Sequence, residues 1–466
     1  MNPTHKVHLI GIGGIAMANV AILLRNAGYE IQGSDSEIYE PAASILNRAG
    51  IVAKAPYSIS NLPPDDDVTV IVGNVQSRGQ VEVEEALRRN LELESFPAFL
   101  RRTLMPRKCR IVVAGTHGKS TTTACIAHIL TALGREPSYL VGADPLNLPF
   151  GGNHGTGDEF VIEGDEYDSA FFDKRSKFLD YFPRILVLGR VEHDHLDIFP
   201  TVEEMLLSFR RLVAQLPANG KLVVAEDSPM SMSLAAEAPC EVVTVSGESQ
   251  SQWRLQDNCL ISPDGERYLD FAPGVIGMHN YLNTAMSVAA VAQLGINPVN
   301  AVNAARSFRG IRRRLELIYE SPRILVYDDF AHHPTAIASA IDAVRLKYPA
   351  HWIVAIFEPR SNTAVRNKYQ HEFTAALSKS NEVLIGSIHR KERIPSSEIL
   401  DTSRMISELK SNGVVAAAAE NSEIVEYLLG RRLPLPAVLL FMSNGSFSGA
   451  PQHLVRNLRE RKITVE

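Results

Sequence analysis

Six consecutive residues, Gly115-Thr116-His117-Gly118-Lys119-Ser120, put two glycines, a lysine and a hydroxyl into one turn. That combination suits phosphate. Glycines let backbone N–H groups converge on anionic oxygens, and a helix N-terminus adds partial positive charge. Lys119 is placed to reach the β- and γ-phosphates of a nucleotide, and the Ser120 hydroxyl to sit on Mg²⁺. Such a turn needs a strand before it and a helix after it. Arg110 to Ala114 is a β-branched run, and Ile126, Ile129, Leu130 and Leu133 share one helical face. A full Walker pattern would have glycine at position 113, where this chain has Val113. The phosphate loop therefore rests on strand, turn and helix falling in order.

Two more apolar runs end in polar clusters. Phe160-Val161-Ile162 leads into Glu163-Gly164-Asp165-Glu166-Tyr167-Asp168, and Ile185 to Leu188 runs toward Glu192-His193-Asp194-His195-Leu196-Asp197. In a parallel sheet these strand ends share one edge with the phosphate loop, where carboxylates can hold Mg²⁺ beside a nucleotide. His193 and His195 have no third soft ligand at zinc spacing. Farther on, Asn280 and Asn283 share a helix face just before an alanine-rich helix, Thr284 to Leu294. Their amides suit helix caps or contacts to adenine or phosphate. The alternating run Val242-Val243-Thr244-Val245 predicts antiparallel strands.

The flanking segments are also α/β. Val7 to Ile10 is a strand, followed by Gly11-Ile12-Gly13-Gly14-Ile15-Ala16, a helix to Gly28, and a strand ending in Ser34-Asp35. This is a dinucleotide-type opening with a diphosphate expected near the helix start. Val68 to Gly73 is another strand, with Asn74 at its C-terminal end. Leu104 to Lys108 reads as a linker. After Arg312-Arg313-Arg314, strands at Ile324–Tyr327, Trp352–Phe357, Glu382–Ile388, Val414–Ala417 and Ala437–Met442 alternate with helices. Two of those strands end in polar turns, Glu358-Pro359-Arg360-Ser361-Asn362-Thr363 and Ser443-Asn444-Gly445-Ser446. The predicted fold is α/β in three domains. Residues 1–106 are Rossmann-like, 107–318 a P-loop ATPase-type mixed sheet, and 319–466 Rossmann-like again.

Composition narrows the function. The chain has 466 residues, 45% of them hydrophobic, and a formal net charge of −6 without a long basic run. Nucleic-acid binding has no compositional support. The four cysteines stand far apart, as expected of buried thiols in a reducing compartment. The N-terminus runs straight into a strand, so no signal peptide is expected, and no apolar stretch approaches the ~18 residues of a membrane span. A cytoplasmic enzyme without membrane insertion is the expectation.

In their order along the chain, these motifs resemble the Mur ligases of bacterial cell-wall synthesis. The matching residues are Gly11-Ile12-Gly13-Gly14, Ala114 to Ser120, Asp165-Glu166, Asp194-His195, His279-Asn280-Tyr281-Leu282-Asn283, Arg313-Arg314 and Asp328 to Pro334. The resemblance implies ATP-dependent amide formation through an acyl phosphate on the muramoyl carboxylate of UDP-N-acetylmuramate. By the same resemblance, Lys119, Glu166 and His195 are catalytic, and Ser120, Glu166 and His195 hold Mg²⁺. Gly115 to Thr121, Asn280, Asn283, Arg314 and Asp329 bind ATP. Gly11, Gly13, Gly14, Asp35 and Asn74 bind the UDP substrate. Asp165 to Phe178, the turn Glu358 to Thr363 and Met442 to Gly445 look like family members that attach a whole L-alanyl-γ-D-glutamyl-meso-diaminopimelate tripeptide. The alternative is a member that attaches L-alanine alone. Arg360, Asn362 and Asn444 are the expected acceptor contacts. A monomer or weak homo-oligomer is expected. One departure stands out: Arg190 replaces an asparagine usual four residues before the Asp-His pair.

Overall fold

The computed structural model describes residues 5–192, 198–247, 251–256 and 259–461. They form two compact units, Met1–Gly274 with Asn280–Ile311, and Val275–His279 with Arg312–Glu466.

The first unit begins with five parallel strands: β1 (Lys6–Ile10), β2 (Glu30–Ser34), β3 (Ala53–Lys54), β4 (Val68–Val72) and β5 (Glu92–Glu94). Their order is β3-β2-β1-β4-β5. The order reverses between β1 and β4, and ligands of such sheets collect at that crevice. Gly11 follows β1 and Asn74 lies just past β4, so the two residues flank it. The helix Ile15–Asn26 is buried along most of its length, from Met17 to Leu24. It packs on its own sheet and also on the next one, which explains why it is apolar on more than one face.

The second sheet of this unit has ten strands: β6 (Cys109–Ala114), β7 (Ser138–Leu140), β8 (Gly152–Asn153), β9 (Glu159–Glu163), β12 (Ile185–Leu188), β13 (Lys221–Ala225), β14 (Glu241–Ser246), β15 (Trp253–Gln256), β16 (Cys259–Ile261) and β17 (Arg267–Leu269). Between β9 and β12 a separate hairpin forms from β10 (Asp168–Ala170) and β11 (Asp173–Ser176). The sheet order is β17-β16-β15-β14-β13-β12-β6-β9-β7-β8. Both acid-bearing strands, β9 and β12, are thus parallel neighbours of the phosphate-loop strand β6. One sequence expectation is corrected here. Val242 to Val245 lies in β14, which is parallel to β13, and antiparallel pairing starts only at β15–β16. The chain returns from β13 to β14 through the helix Pro229–Ala235, and a crossover of that kind makes neighbours parallel.

In the second unit, β18 (Glu316–Glu320), β19 (Ile324–Asp329), β20 (Trp352–Phe357), β21 (Glu382–Ile385), β22 (Val415–Ala418) and β23 (Ala437–Met442) form one sheet. Its order is β18-β19-β23-β20-β21-β22, parallel except for the β18–β19 pair. Strand β18 was not expected from the sequence. It spans the 318/319 division and draws the chain from Arg312 into this unit. The strand expected to reach Ile388 stops at Ile385, and the helix expected from Thr284 starts at Met278. Asn280 and Asn283 therefore lie inside that helix. Among the described residues no helix is long and apolar enough to cross a membrane.

Candidate phosphoryl-transfer site

Strand β6 ends at Ala114 and the helix Lys119–Ala132 begins after four intervening residues. Gly115 has φ +130°, and a Cβ there would press on the backbone of Gly189 and Arg190. Gly118, at φ +79°, lies against the side chain of Asn283. Both positions need glycine for conformation and for space. The loop is tied to the end of β12: the Thr116 N–H donates to the Arg190 carbonyl at 2.8 Å, and the Thr116 hydroxyl donates to the Glu192 carbonyl at 2.9 Å. Arg190 thus serves the loop through its backbone, while its guanidinium pairs with Asp227 at 2.8 Å.

Lys119 Nζ lies 2.8 Å from Glu166 Oε2 and donates to the Gly115 carbonyl at 2.8 Å. Burial opposes the charged ammonium, but Glu166 and Asp165 outweigh it and hold its pKa above the usual lysine value. The Ser120 hydroxyl donates to Glu163 Oε1 at 2.9 Å, and the Gly142 N–H donates to Glu163 Oε2 at 2.7 Å. Burial pushes the Glu163 carboxyl up. Lys177 Nζ lies 2.5 Å from Asp165 Oδ2. Burial works against the Asp165 carboxylate, yet Lys177 and Lys119 keep it below the usual range. His117 faces Glu192 at 3.4 Å, Thr121 is buried in the first helical turn, and Asn283 Nδ2 lies 3.5 Å from Asn280 Oδ1. The cluster therefore joins Gly115 to Thr121, Asn280, Asn283 and Glu166. His195 lies outside the described residues.

From the sequence alone, Glu163 is named only as part of a polar cluster and Lys177 only within the stretch Asp165 to Phe178, without a site role for either. Glu163 pairs in register with Val113, so the first polar residue after Ile162 was the available signal. The donor set of Ser120, Glu163 and Glu166 is hard oxygen, which fits Mg²⁺. Among the described residues no three of His, Cys, Asp and Glu form a ready cage, and Mg²⁺ commonly takes few protein ligands, keeping waters and substrate phosphates.

At the N-terminal crevice, Asp35 caps the glycine turn. Its Oδ2 accepts from the Gly13 N–H at 2.8 Å, and its Oδ1 accepts from the Tyr57 hydroxyl at 3.1 Å. Gln76 donates to that hydroxyl at 2.8 Å. Tyr57, unforeseen, thus links three loops around Gly11, Gly14 and Asn74.

In the second unit, Asp329 is buried and accepts the Leu315 N–H at 2.6 Å and the Ala331 N–H at 2.7 Å. It pins the chain where Arg313 and Leu315 have positive φ. The Arg314 guanidinium lies over the Phe330 ring at 5.2 Å. At the ends of β20 and β23, Glu358 is buried and accepts from Asn421 at 2.7 Å and from the Ser443 hydroxyl at 2.5 Å. Arg360 is only 3.9 Å from Glu358 at its nearest and is 37% exposed. Asn444 is at the same edge, with a buried Oδ1 that has no hydrogen-bond partner among the described residues. Asn362 is exposed.

A phosphate loop backed by paired carboxylates, with one α/β sheet before it and one after it along the chain, is the arrangement of a nucleotide-using transferase or ligase. Comparison with known proteins narrows this. Three family models match: Mur ligase family, catalytic domain, over residues 6–107; Mur ligase middle domain over 113–291; and Mur ligase, glutamate ligase domain, over 313–445. The UDP-N-acetylmuramate–L-alanyl-γ-D-glutamyl-meso-2,6-diaminoheptandioate ligase of Escherichia coli K12 is 34% identical, covering 98% of this chain and 99% of its own. A UDP-N-acetylmuramate–L-alanine ligase of Rubrobacter xylanophilus is 32% identical, covering 94% of each. A crystal structure of a murein peptide ligase from Psychrobacter arcticus superposes with a TM-score of 0.71 at 30% identity, covering 97% and 98% of the two chains. This chain belongs to the Mur ligase family.

Proposed function

We propose that the chain joins the muramoyl carboxylate of UDP-N-acetylmuramate to L-alanyl-γ-D-glutamyl-meso-diaminopimelate, using ATP, in the cytoplasm. The observation that carries this reading is near-complete coverage at 34% identity by the Escherichia coli tripeptide ligase. The site supports it chemically. A carboxylate is a poor electrophile at neutral pH. Transfer of the γ-phosphoryl group to it releases ADP and leaves an acyl phosphate. The acceptor amine then attacks the carbonyl, loses a proton, and expels phosphate.

The chain's task is positioning and charge neutralisation. Lys119 neutralises the γ-phosphoryl oxygens, exchanging its contact with Glu166 for them. Ser120, Glu163 and Glu166 would hold Mg²⁺, with His195 as a further ligand, and the ion would supply charge neutralisation at the phosphates. Asn280, Asn283, Arg314 and Asp329 contact ATP. Gly11, Gly14 and Asn74 contact the UDP moiety, with Asp35 ordering the turn. Arg360 and Asn444 receive the acceptor's carboxylates, with Asn362 at the rim.

A second reading, a ligase for L-alanine alone, is favoured by the 32% identity to the Rubrobacter xylanophilus protein. ADP release separates the two. It is expected to require UDP-N-acetylmuramate and tripeptide together and to be far slower with L-alanine. A preference for L-alanine would overturn the tripeptide assignment.

A further inference from the structure

The β10–β11 hairpin starts just beyond the catalytic acids, and Phe171 and Phe172 alone connect its strands. Tight hairpin turns favour Gly, Asn and Asp, which tolerate the backbone required. Two phenylalanines there run against local preference, and such conflicts concentrate at functional sites. Phe171 has a structural use. It packs on the apolar cluster of the N-terminal sheet that holds Ile10 and Val72, a cluster against which Tyr57 also packs. Phe172 lacks that explanation, since it is 47% exposed. Its ring is nevertheless held edge-to-face by Phe171, with centroids 5.0 Å apart. The hairpin behind it is braced by the Lys174–Asp168 pair at 2.5 Å and the Arg175–Asp173 pair at 2.6 Å.

The place of this ring matters. Tyr57 hydrogen-bonds Asp35, which caps the Gly13 turn. Glu166 contacts Lys119 of the phosphate loop. Phe171 is the fifth residue after Glu166, a reach of at most about 17 Å. A nucleotide-sugar with its diphosphate at the glycine turn and its carboxylate at Lys119 must cross this interval with its pyranose.

Resting on the function proposed above, we infer that Phe172 is an aromatic platform for the pyranose ring of the nucleotide-sugar substrate. The C–H face of a pyranose is apolar and weakly positive, and an aromatic face is apolar and weakly negative. Phe171 anchors the platform to the N-terminal sheet, and the hairpin base joins it to the acids at the phosphate loop. The hairpin thus gauges the distance between the two ends of one substrate.

Calorimetric binding to the full chain tests this, with UDP-N-acetylmuramate and UDP as separate probes. F172A is expected to weaken UDP-N-acetylmuramate about three- to tenfold, the scale of one lost aromatic contact, and to leave UDP unchanged. F172W is expected to restore the lost affinity. Unchanged binding of UDP-N-acetylmuramate to F172A overturns the platform. Equal weakening of both probes also overturns it, because that marks general damage to the hairpin. Wild-type ADP release with UDP-N-acetylmuramate and an acceptor, tripeptide or L-alanine, judges the underlying function separately: its absence with both acceptors overturns both, while normal wild-type turnover with unaltered F172A binding overturns the platform alone.

Discussion

Lys119 is largely enclosed, with its side chain 12% exposed, yet it keeps its charge because the carboxylates of Glu166 and Asp165 outweigh the loss of water. In the proposed reaction, a cation so held makes its strongest contact as charge moves onto the γ-phosphoryl group. Lys119→Ala is expected to lower turnover roughly 10²-fold or more, measured by steady-state ADP release in a variant with wild-type circular dichroism. Arg360 is the residue proposed above for the acceptor. Glu358 is already satisfied by Asn421 and Ser443, so the guanidinium fork is left for another carboxylate. Arg360→Lys keeps the charge and loses the fork. It is expected to raise the tripeptide Michaelis constant about ten- to a hundredfold, with those for ATP and UDP-N-acetylmuramate nearly unchanged. Much of this residue set was legible, because a lysine and a hydroxyl after a glycine turn have few other uses. The pairings of Glu163 and Lys177 were not. Their partners, Ser120 and Asp165, are 43 and 12 residues away, and such pairings exist only once strands are placed side by side.

Elements explain the rest. Strand β19 ends in Asp328-Asp329, two carboxylates behind the bend at Arg313 to Leu315. Burial pushes the Asp328 carboxyl up to about 6, with Arg313 only partly offsetting it. The folded chain therefore binds this proton more tightly than the unfolded chain. The group costs nothing below the unfolded value near 3.8, and stability falls as pH rises from there to about 6. Asp328→Asn removes the ionisation. Relative to wild type, it is expected to gain on the order of 2 kcal/mol between pH 3.5 and pH 7.5, read from urea denaturation at each pH. A gain that does not grow with pH would contradict this. Strand β18 precedes these acids and was missed in the sequence because Leu317 and Glu320 are exposed and Ile318 and Tyr319 only half-buried. Its apolar residues gave no clean alternation. The parallel β14 was misread for the opposite reason: it alternates well, but alternation does not reveal the partner's direction.

At the scale of the whole first unit, its two sheets are joined by a polar lock. Asn19, fully buried in the helix Ile15–Asn26, donates to the Val141 and Ala143 carbonyls at 2.9 Å each and accepts from the Gly151 N–H at 3.2 Å. Arg48 adds an ion pair to Asp144 at 3.1 Å. Asn19→Leu would strand three buried backbone groups and is expected to cost roughly 2–4 kcal/mol of stability, visible as a lower urea midpoint. The lock was invisible in the sequence, where Asn19 reads as one polar residue in an apolar helix. In the proposed function it matters because the glycine turn and the phosphate loop would act on one substrate and must keep their spacing. The most direct test follows an oxygen atom from one end of that substrate. UDP-N-acetylmuramate carrying ¹⁸O in its carboxylate is mixed with ATP, Mg²⁺ and tripeptide, and the products are read by mass spectrometry. Transfer of the γ-phosphoryl group to the carboxylate is expected to leave one ¹⁸O in inorganic phosphate, with ADP as the nucleotide product. Release of pyrophosphate with the label in AMP, or phosphate without label, would contradict activation at this loop.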